Sequence, residues 1–189
     1  RRHVGAIFWA LVVLGGLLAL AAHRYGPDVW TDYVESLRKP VNRLLAFETV
    51  RPEAMISTYA GLRLAGLSAT HALIGQGLVA LLALKMMLSV CRRSYDPHLP
   101  FAATITATLL VLPHAYGYDL VLLIIPVLVL IARAQKRGWQ VEDWEALLPA
   151  YLAPFFVVSL NLAVRAPVLP LILLLLLHRL QYHSRYTAD

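Results

Sequence analysis

Apolar residues along this chain fall into long uncharged blocks separated by short polar punctuation. Crossing about 30 Å of hydrocarbon takes about 20 helical residues. Residues 4–22, VGAIFWALVVLGGLLALAA, supply such a block outright, and residues 69–90 supply another interrupted only by Lys85. Two shorter runs, 100–112 and 120–132, flank the polar stretch PHAYGYD, and residues 147–164 and 168–180 close the pattern. The pattern predicts an all-α polytopic membrane bundle of about six transmembrane helices. Little more than Arg-Ala-Pro joins the last two, in a tight helical hairpin. Between the first two blocks, Val29, Trp30, Tyr33, Val34 and Leu37 recur at helical spacing behind Pro27. That predicts an amphipathic helix lying in the headgroup layer. A second candidate of this kind, STYAGLRLAGLSA, leads straight into the span at 69–90.

Composition agrees with the pattern. With 59% hydrophobic and 15% charged residues over 189 positions, the chain is too apolar for one soluble core. Its net charge of +6 would suggest nucleic acid in a soluble chain. Here the basic residues stand at the ends of apolar runs, so they read as topology signals, and no nucleic-acid partner is expected. Alternating the loops puts Arg1, Arg2, Lys85, Arg92, Arg93, Arg133, Lys136, Arg137, Arg179 and Arg185 on one side. The short loops opposite carry only Arg165, so the basic side is expected to be cytoplasmic, with both termini there. The segment 23–68 and PHAYGYD then share the outer face, periplasmic or its equivalent. The expected organisation is one transmembrane domain over 1–189, the C-terminal part of a longer chain, with 23–68 as its outer-face loop. The single Cys91, beside Arg92 and Arg93, reads as an ordinary helix-end residue.

The motif stretch carries the candidate chemistry. The runs beside it hold about 13 uncharged residues each, or ~20 Å of helix, about 10 Å short of the hydrocarbon thickness. A turn between them stops below the outer surface, where irregular backbone is tolerated only if buried in protein or lining a wet cavity. Pro113 ends one helix, Gly117 permits a turn and Asp119 can cap the next helix. Two readings stay open: a capped turn with interfacial tyrosines, or a recessed polar site open to the outer face. His114, which no turn requires, beside an ionisable aspartate at membrane depth, favours the second. Arg63, a cation in an apolar helical stretch, reads either as a lipid-phosphate contact or as a snorkelling side chain.

These same residues carry a family resemblance. The run STYAGLRLAGLS, a Gln-bearing span, a basic turn and then ATLLVLPHAYGYDLVLLIIPVLVL resemble the C-terminal half of the bacterial DUF2029 proteins, glycosyltransferase family 87. The resemblance extends from the first span through Leu130, and P-H-x-Y-x-Y-D-L and L-x-L-x-G-L are its most specific parts. It implies a GT-C type inverting enzyme that moves a hexose, commonly mannose, from a polyprenyl-phosphate donor to a glycan or glycolipid acceptor at the outer membrane face. It implies no tightly bound cofactor or metal. His114 and Asp119 are then the catalytic candidates, and Arg63, Tyr116, Tyr118 and Gln76 the substrate-binding ones. The family's general base usually lies in an earlier outer loop, so Asp119 is expected to orient His114 or hold sugar hydroxyls.

Other polar positions invite weaker expectations. Lys85 reads as a snorkelling lysine, Gln76 as interhelical glue or a carrier contact, and His71 and Asn161 as possible cavity residues. The stretch RAQKRGWQVEDWE mixes signs and reads as a solvated loop. Asp28, Asp32, Glu35, Glu48 and Glu53 lack metal-ligand spacing, and no phosphate-loop or dinucleotide motif occurs. A transporter of lipid-linked sugars is the alternative function, although no second interrupted span mirrors the first. A structural subunit is the third.

Overall fold

The computed structural model describes residues 3–46 and 51–185; the expected topology residues Arg1 and Arg2, and Glu48, lie outside them. The described chain is all-helical, and it divides into two compact units, Arg1–Glu48 and Thr49–Asp189. The expected outer segment 23–68 is thereby shared between the two.

In the first unit, α1 (His3–Tyr25) is an apolar helix long enough to cross a membrane, and its apolar side chains, Trp9 and Leu11 among them, are exposed. Gly26, in the left-handed region at φ 92°, ends it, and its N–H donates to Ala22 O at 2.9 Å. The amphipathic helix α2 (Val29–Ala46) follows. Trp30 and Tyr33 meet edge to face on it, 6.3 Å apart.

The second unit is a bundle. Its elements are a 3₁₀ turn (Pro52–Ala54), α3 (Thr58–Leu64), α4 (Ala69–Arg93), α5 (His98–Val111), a 3₁₀ run (Gly117–Leu123), α6 (Ile124–Arg137), α7 (Val141–Val164) and α8 (Val168–Ser184). Two helices here, α4 and α7, and the combined stretch Gly117–Arg137 are long and apolar enough to span a membrane, while α5 and α8 are shorter apolar helices. Short α5 is the centre: it packs on α4, α6 and α8. Its buried Ala102, Ala103, Thr106 and Ala107 let neighbouring backbones approach closely. The Thr106 hydroxyl is satisfied by donating to Ala102 O at 3.0 Å. Leucines at 99, 109, 110, 130, 173, 176 and 177 fill the remaining core. Outside, Leu78, Leu81, Phe155 and Leu171 are exposed. Apolar side chains both inside and outside are what a bundle solvated by lipid requires.

The descending helix after the motif differs from expectation at its start. It opens as a 3₁₀ run, and regular α-helix begins only at Ile124. Pro126 then stands in the first turn of α6, where its missing N–H has no intrahelical partner to lose. The stretch STYAGLRLAGLSA also differs, in that it is not one helix continuous with the next span. It forms the separate α3, capped by Ser57 and closed by a turn at Gly66 (φ 91°), with Thr58, Tyr59, Ala60 and Gly61 buried. A methyl group at Gly61 would lie 2.6 Å from Pro167 Cα, so α3 packs backbone-close on the turn between α7 and α8.

Candidate functional site

The PHAYGYD turn is built by its own aspartate. Tyr116, in extended conformation, donates its N–H to Asp119 Oδ2 at 2.8 Å, while the Asp119 N–H donates to Tyr116 O at 3.0 Å. This reciprocal cap starts the 3₁₀ run and fixes the angle at which the two tyrosines leave the chain. Their rings stack at 5.5 Å with planes 9° apart. Gly117 lets the turn lie against α7, since an added methyl would meet Val157 Cγ1 at 3.2 Å.

Residues 51–57 lie across this turn. The Ile56 N–H donates to Ala115 O at 2.9 Å, and Met55 pairs with Tyr116 as an isolated antiparallel bridge. Buried Asn161 on α7 holds the same segment: its Nδ2 donates to Glu53 O and Met55 O, both at 2.8 Å. Sequence reasoning gave residues 51–57 no part in the site. Their placement depends on an asparagine more than a hundred positions later.

His114 and Tyr118 of the motif are exposed, while Tyr116 and Gly117 are half-buried. The motif borders a groove of about 480 Å³ whose mouth holds Arg51, Tyr116 and Tyr118 and whose wall is Pro154, Phe155 and Val157 of α7. A second groove of about 680 Å³ continues between α6 and α7 with an almost wholly apolar lining, and it shares Gly117, Tyr118, Pro154 and Phe155 with the first. Pro154 lacks the N–H that would bond the Ala150 carbonyl, and this is the stretch of α7 along which both grooves run. The groove that holds Arg51 and the two tyrosines thus adjoins a slot suited to hydrocarbon.

The other expected site residues distribute unevenly. His114 is exposed beside the turn; among the described residues no hydrogen bond or ion pair joins it to Asp119, and it does not line the groove. Gln76, expected at the substrate, is buried. Its Oε1 accepts the Tyr59 N–H at 3.0 Å, and its Nε2 donates to Leu110 O at 2.9 Å and Val111 O at 3.1 Å. Those bonds tie α3 to the end of α5, so Gln76 positions the elements around the turn. Arg63 is half-buried and donates to Leu67 O at 3.2 Å, closing the α3–α4 turn. Beside it, burial pushes the Tyr59 phenol up, with Arg63 pulling partly the other way, so Tyr59 stays neutral. His71 shares the Ser68 hydroxyl at 2.7 Å in the cap of α4. Arg165, exposed, closes α7 in the left-handed region at φ 48°. The groove residue that sequence reasoning missed is Arg51, whose only signal is a lone cation ahead of the uncharged run AMISTYAG.

The stretch RAQKRGWQVEDWE is not a solvated loop. α6 runs through Arg137 and α7 starts at Val141, and Asp143 is fully buried. Its Oδ1 accepts Arg179 Nε at 2.6 Å and His183 Nε2 at 2.9 Å. Arg179 also donates to Gln140 Oε1. Arg179, counted among the free topology charges, is therefore an interior ion-pair partner. This network lies at the opposite ends of α7 and α8 from the motif turn and has no part in the groove. Among the described residues no three His, Cys, Asp or Glu side chains come together to hold a metal ion.

Comparison with curated proteins and with solved structures finds no match to the chain. The sequence pattern of Glycosyltransferase family 87 matches residues 1–113. The match includes Arg51, Arg63 and Gln76 and stops one residue before His114, so the tyrosine turn lies just beyond it. It covers more than half of the sequence, and the chain belongs to glycosyltransferase family 87, a family of membrane glycosyltransferases.

Proposed function

We propose that this protein transfers a hexose, mannose in the first instance, from a polyprenyl-phosphate donor to a glycan or glycolipid acceptor at the outer face of the bacterial cytoplasmic membrane. One observation carries the reading: the mouth at Arg51, Tyr116 and Tyr118 is continuous with the apolar groove between α6 and α7. A polyprenyl-phosphate sugar has the same order of chemistry, a polar sugar phosphate on a long hydrocarbon tail. The tail would lie along Val127, Ile131 and Tyr151, and the phosphate near Arg51.

In the transfer, an acceptor hydroxyl oxygen bonds to the anomeric carbon as the bond from that carbon to the phosphate oxygen breaks. The hydroxyl proton passes to a base, and polyprenyl phosphate leaves with the bonding electrons. Negative charge grows on the phosphate, where Arg51 stabilises it, with His114 acting from beside the turn, outside the groove's lining. The stacked tyrosines offer hydroxyls to the sugar. Asp119 acts by holding them in place, because its Oδ2 is already committed to the Tyr116 N–H. The base is not assigned to a residue described here.

The test uses the full-length protein in membranes and labelled polyprenyl-phosphate mannose. Arg51→Gln and Tyr118→Ala are expected to lower transfer at least tenfold with folding retained, the loss of one charged contact at the leaving group being worth about that much. His114→Ala is expected to cost severalfold. Full transfer in both Arg51→Gln and Tyr118→Ala would remove the groove from the reaction.

A further inference from the structure

The basic end of the bundle holds a separate groove, between α4 and α8, of about 930 Å³. On α4, Lys85, Arg92 and Arg93 stand seven and eight residues apart and so share one helix face. From α8, Arg185 and His178 close the other side. No acidic residue lines this groove, and none of Lys85, Arg92, Arg93 or Arg185 has an ion pair among the described residues. That is unlike Arg133 and Arg179, which carry the carboxylates of Asp96 and Asp143.

Four cations gathered without a counter-charge among the described residues repel one another and leave their donors to an anion from outside. The remaining wall states what kind of anion. Leu81, Leu84 and Leu88 line the groove from α4, and all three are exposed. Leu81 lies four residues before Lys85, toward the middle of the span, and the arginines lie at its end. A soluble anion would fill the charged part and leave the leucine wall bare. A phospholipid fills both, with its headgroup phosphate among the cations and an acyl chain against the leucines. Basic pockets between transmembrane helices at the positively charged membrane side bind anionic headgroups in this way.

We infer that the α4–α8 groove is a binding site for an anionic phospholipid of the leaflet at the basic end of the bundle. The site is separate from the tyrosine groove and does not depend on the transfer reaction. Its helices run to that groove nevertheless: α4 carries Gln76, and α8 begins beside the turn on which Gly61 packs. A lipid that neutralises the cations removes the repulsion between the two helix ends.

The test embeds the full-length protein in nanodiscs of equimolar phosphatidylcholine and phosphatidylglycerol and counts retained phosphatidylglycerol by native mass spectrometry. Arg92→Gln/Arg93→Gln is expected to lower its retention relative to phosphatidylcholine about fivefold for each cation removed. Arg92→Lys/Arg93→Lys should keep most of it, as should Lys136→Gln/Arg137→Gln, which removes the same charge elsewhere at that end. Lys85→Gln alone, a single change on an exposed side chain, should show about one cation's share. Unchanged retention in Arg92→Gln/Arg93→Gln, or an equal loss in Lys136→Gln/Arg137→Gln, overturns the inference. So does displacement of the bound lipid by inorganic phosphate at matched ionic strength, since the groove would then be a site for free phosphate.

Discussion

The two ends of the helical bundle are held by different chemistry. Around the tyrosine groove the interior polar contacts are neutral: the Gln76 and Asn161 amides bridge backbone groups of three separate segments. At the basic end the interior contacts are charged, with Asp143 receiving Arg179 and His183, and Asp96 receiving Arg133. An amide bonded on both sides costs little to bury, whereas an ion pair surrenders the hydration of two charges. The difference teaches where each end spends its charge. Near the groove, His114 is exposed, and Arg51 is exposed with one long contact to Glu53 at 3.8 Å, a weak tie that a ligand can displace. At the far end, the buried charge is consumed in locking α7 to α8, and the cations without an ion pair among the described residues stand at the rim, in the α4–α8 groove.

The largest effect expected from this contrast is at Asp143. Replacing it by alanine leaves Arg179 and His183 buried without their acceptor, a loss of about 3–5 kcal/mol. Thermal unfolding of the detergent-solubilised protein should fall accordingly, with transfer per folded molecule preserved. Combining Asp143→Ala with Arg179→Met should recover much of the stability, because the stranded charge goes too. If Asp143→Ala unfolds like wild type, the basic end is not held by its ion pairs and the contrast fails.

Next in size is Asn161→Leu. It removes the donor to two carbonyls, Glu53 and Met55, at an expected cost of about 2 kcal/mol. Unlike the aspartate change, it should also cut sugar transfer, because the segment it releases carries Arg51. Faster cleavage after Glu53 by a glutamate-specific protease would report that release directly. Loss of stability with untouched transfer and cleavage would mean that the neutral bonds brace the bundle without shaping the site.

These two residues also mark where sequence reasoning stops. Helix-forming blocks and the capped turn were legible because their signals are local: uncharged length, Pro113, and an aspartate three residues after its cap. Asp143 was not, because within RAQKRGWQVEDWE no local pattern separates one buried carboxylate from its solvated neighbours. Its partners lie 36 and 40 residues further on. The segment at 51–57 has no helical or strand period to read, and its burial is imposed by Asn161. Gln76 showed its depth in the span, which suits glue and ligand contact equally; only the paths of α3 and α5 decide between them. Of the two readings offered for the motif, the capped turn is the one Asp119 forms; the recessed polar site was argued from His114, which lies exposed and outside the groove's lining.

A smaller effect separates the cap from the chemistry. Asp119→Ala should cost about 1 kcal/mol of stability, the usual size for a lost helix cap, and lower transfer severalfold by freeing Tyr116 and Tyr118. Asp119→Asn keeps an oxygen to accept the Tyr116 N–H and should restore both. Loss of transfer in Asp119→Asn at wild-type stability would instead assign the carboxylate charge a direct part in the reaction, and the groove end would then rely on an acid as the basic end does.

The smallest expected effect tests the charged end at its rim, where Asp96, in the loop between α4 and α5, meets Arg133 of α6. Partial burial alone would raise the Asp96 carboxyl, but the His98 N–H and the Arg133 guanidinium outweigh it and hold it below the usual carboxylate range. A carboxyl with a lowered folded value contributes stability in full above its unfolded value, about 3.9 for aspartate, and loses it as pH falls through the folded value. Both side chains keep some solvent contact, so the pair is worth only about 0.5–1 kcal/mol. Arg133→Gln should therefore lower the unfolding temperature slightly at neutral pH, and the gap to wild type should close on acidification below that value. The Asp143 network cancels in the comparison, being common to both proteins. A gap that persists unchanged into acid would show that Arg133 stabilises α6 without the carboxylate, and would confine the ionic character of this end to the buried Asp143 cluster.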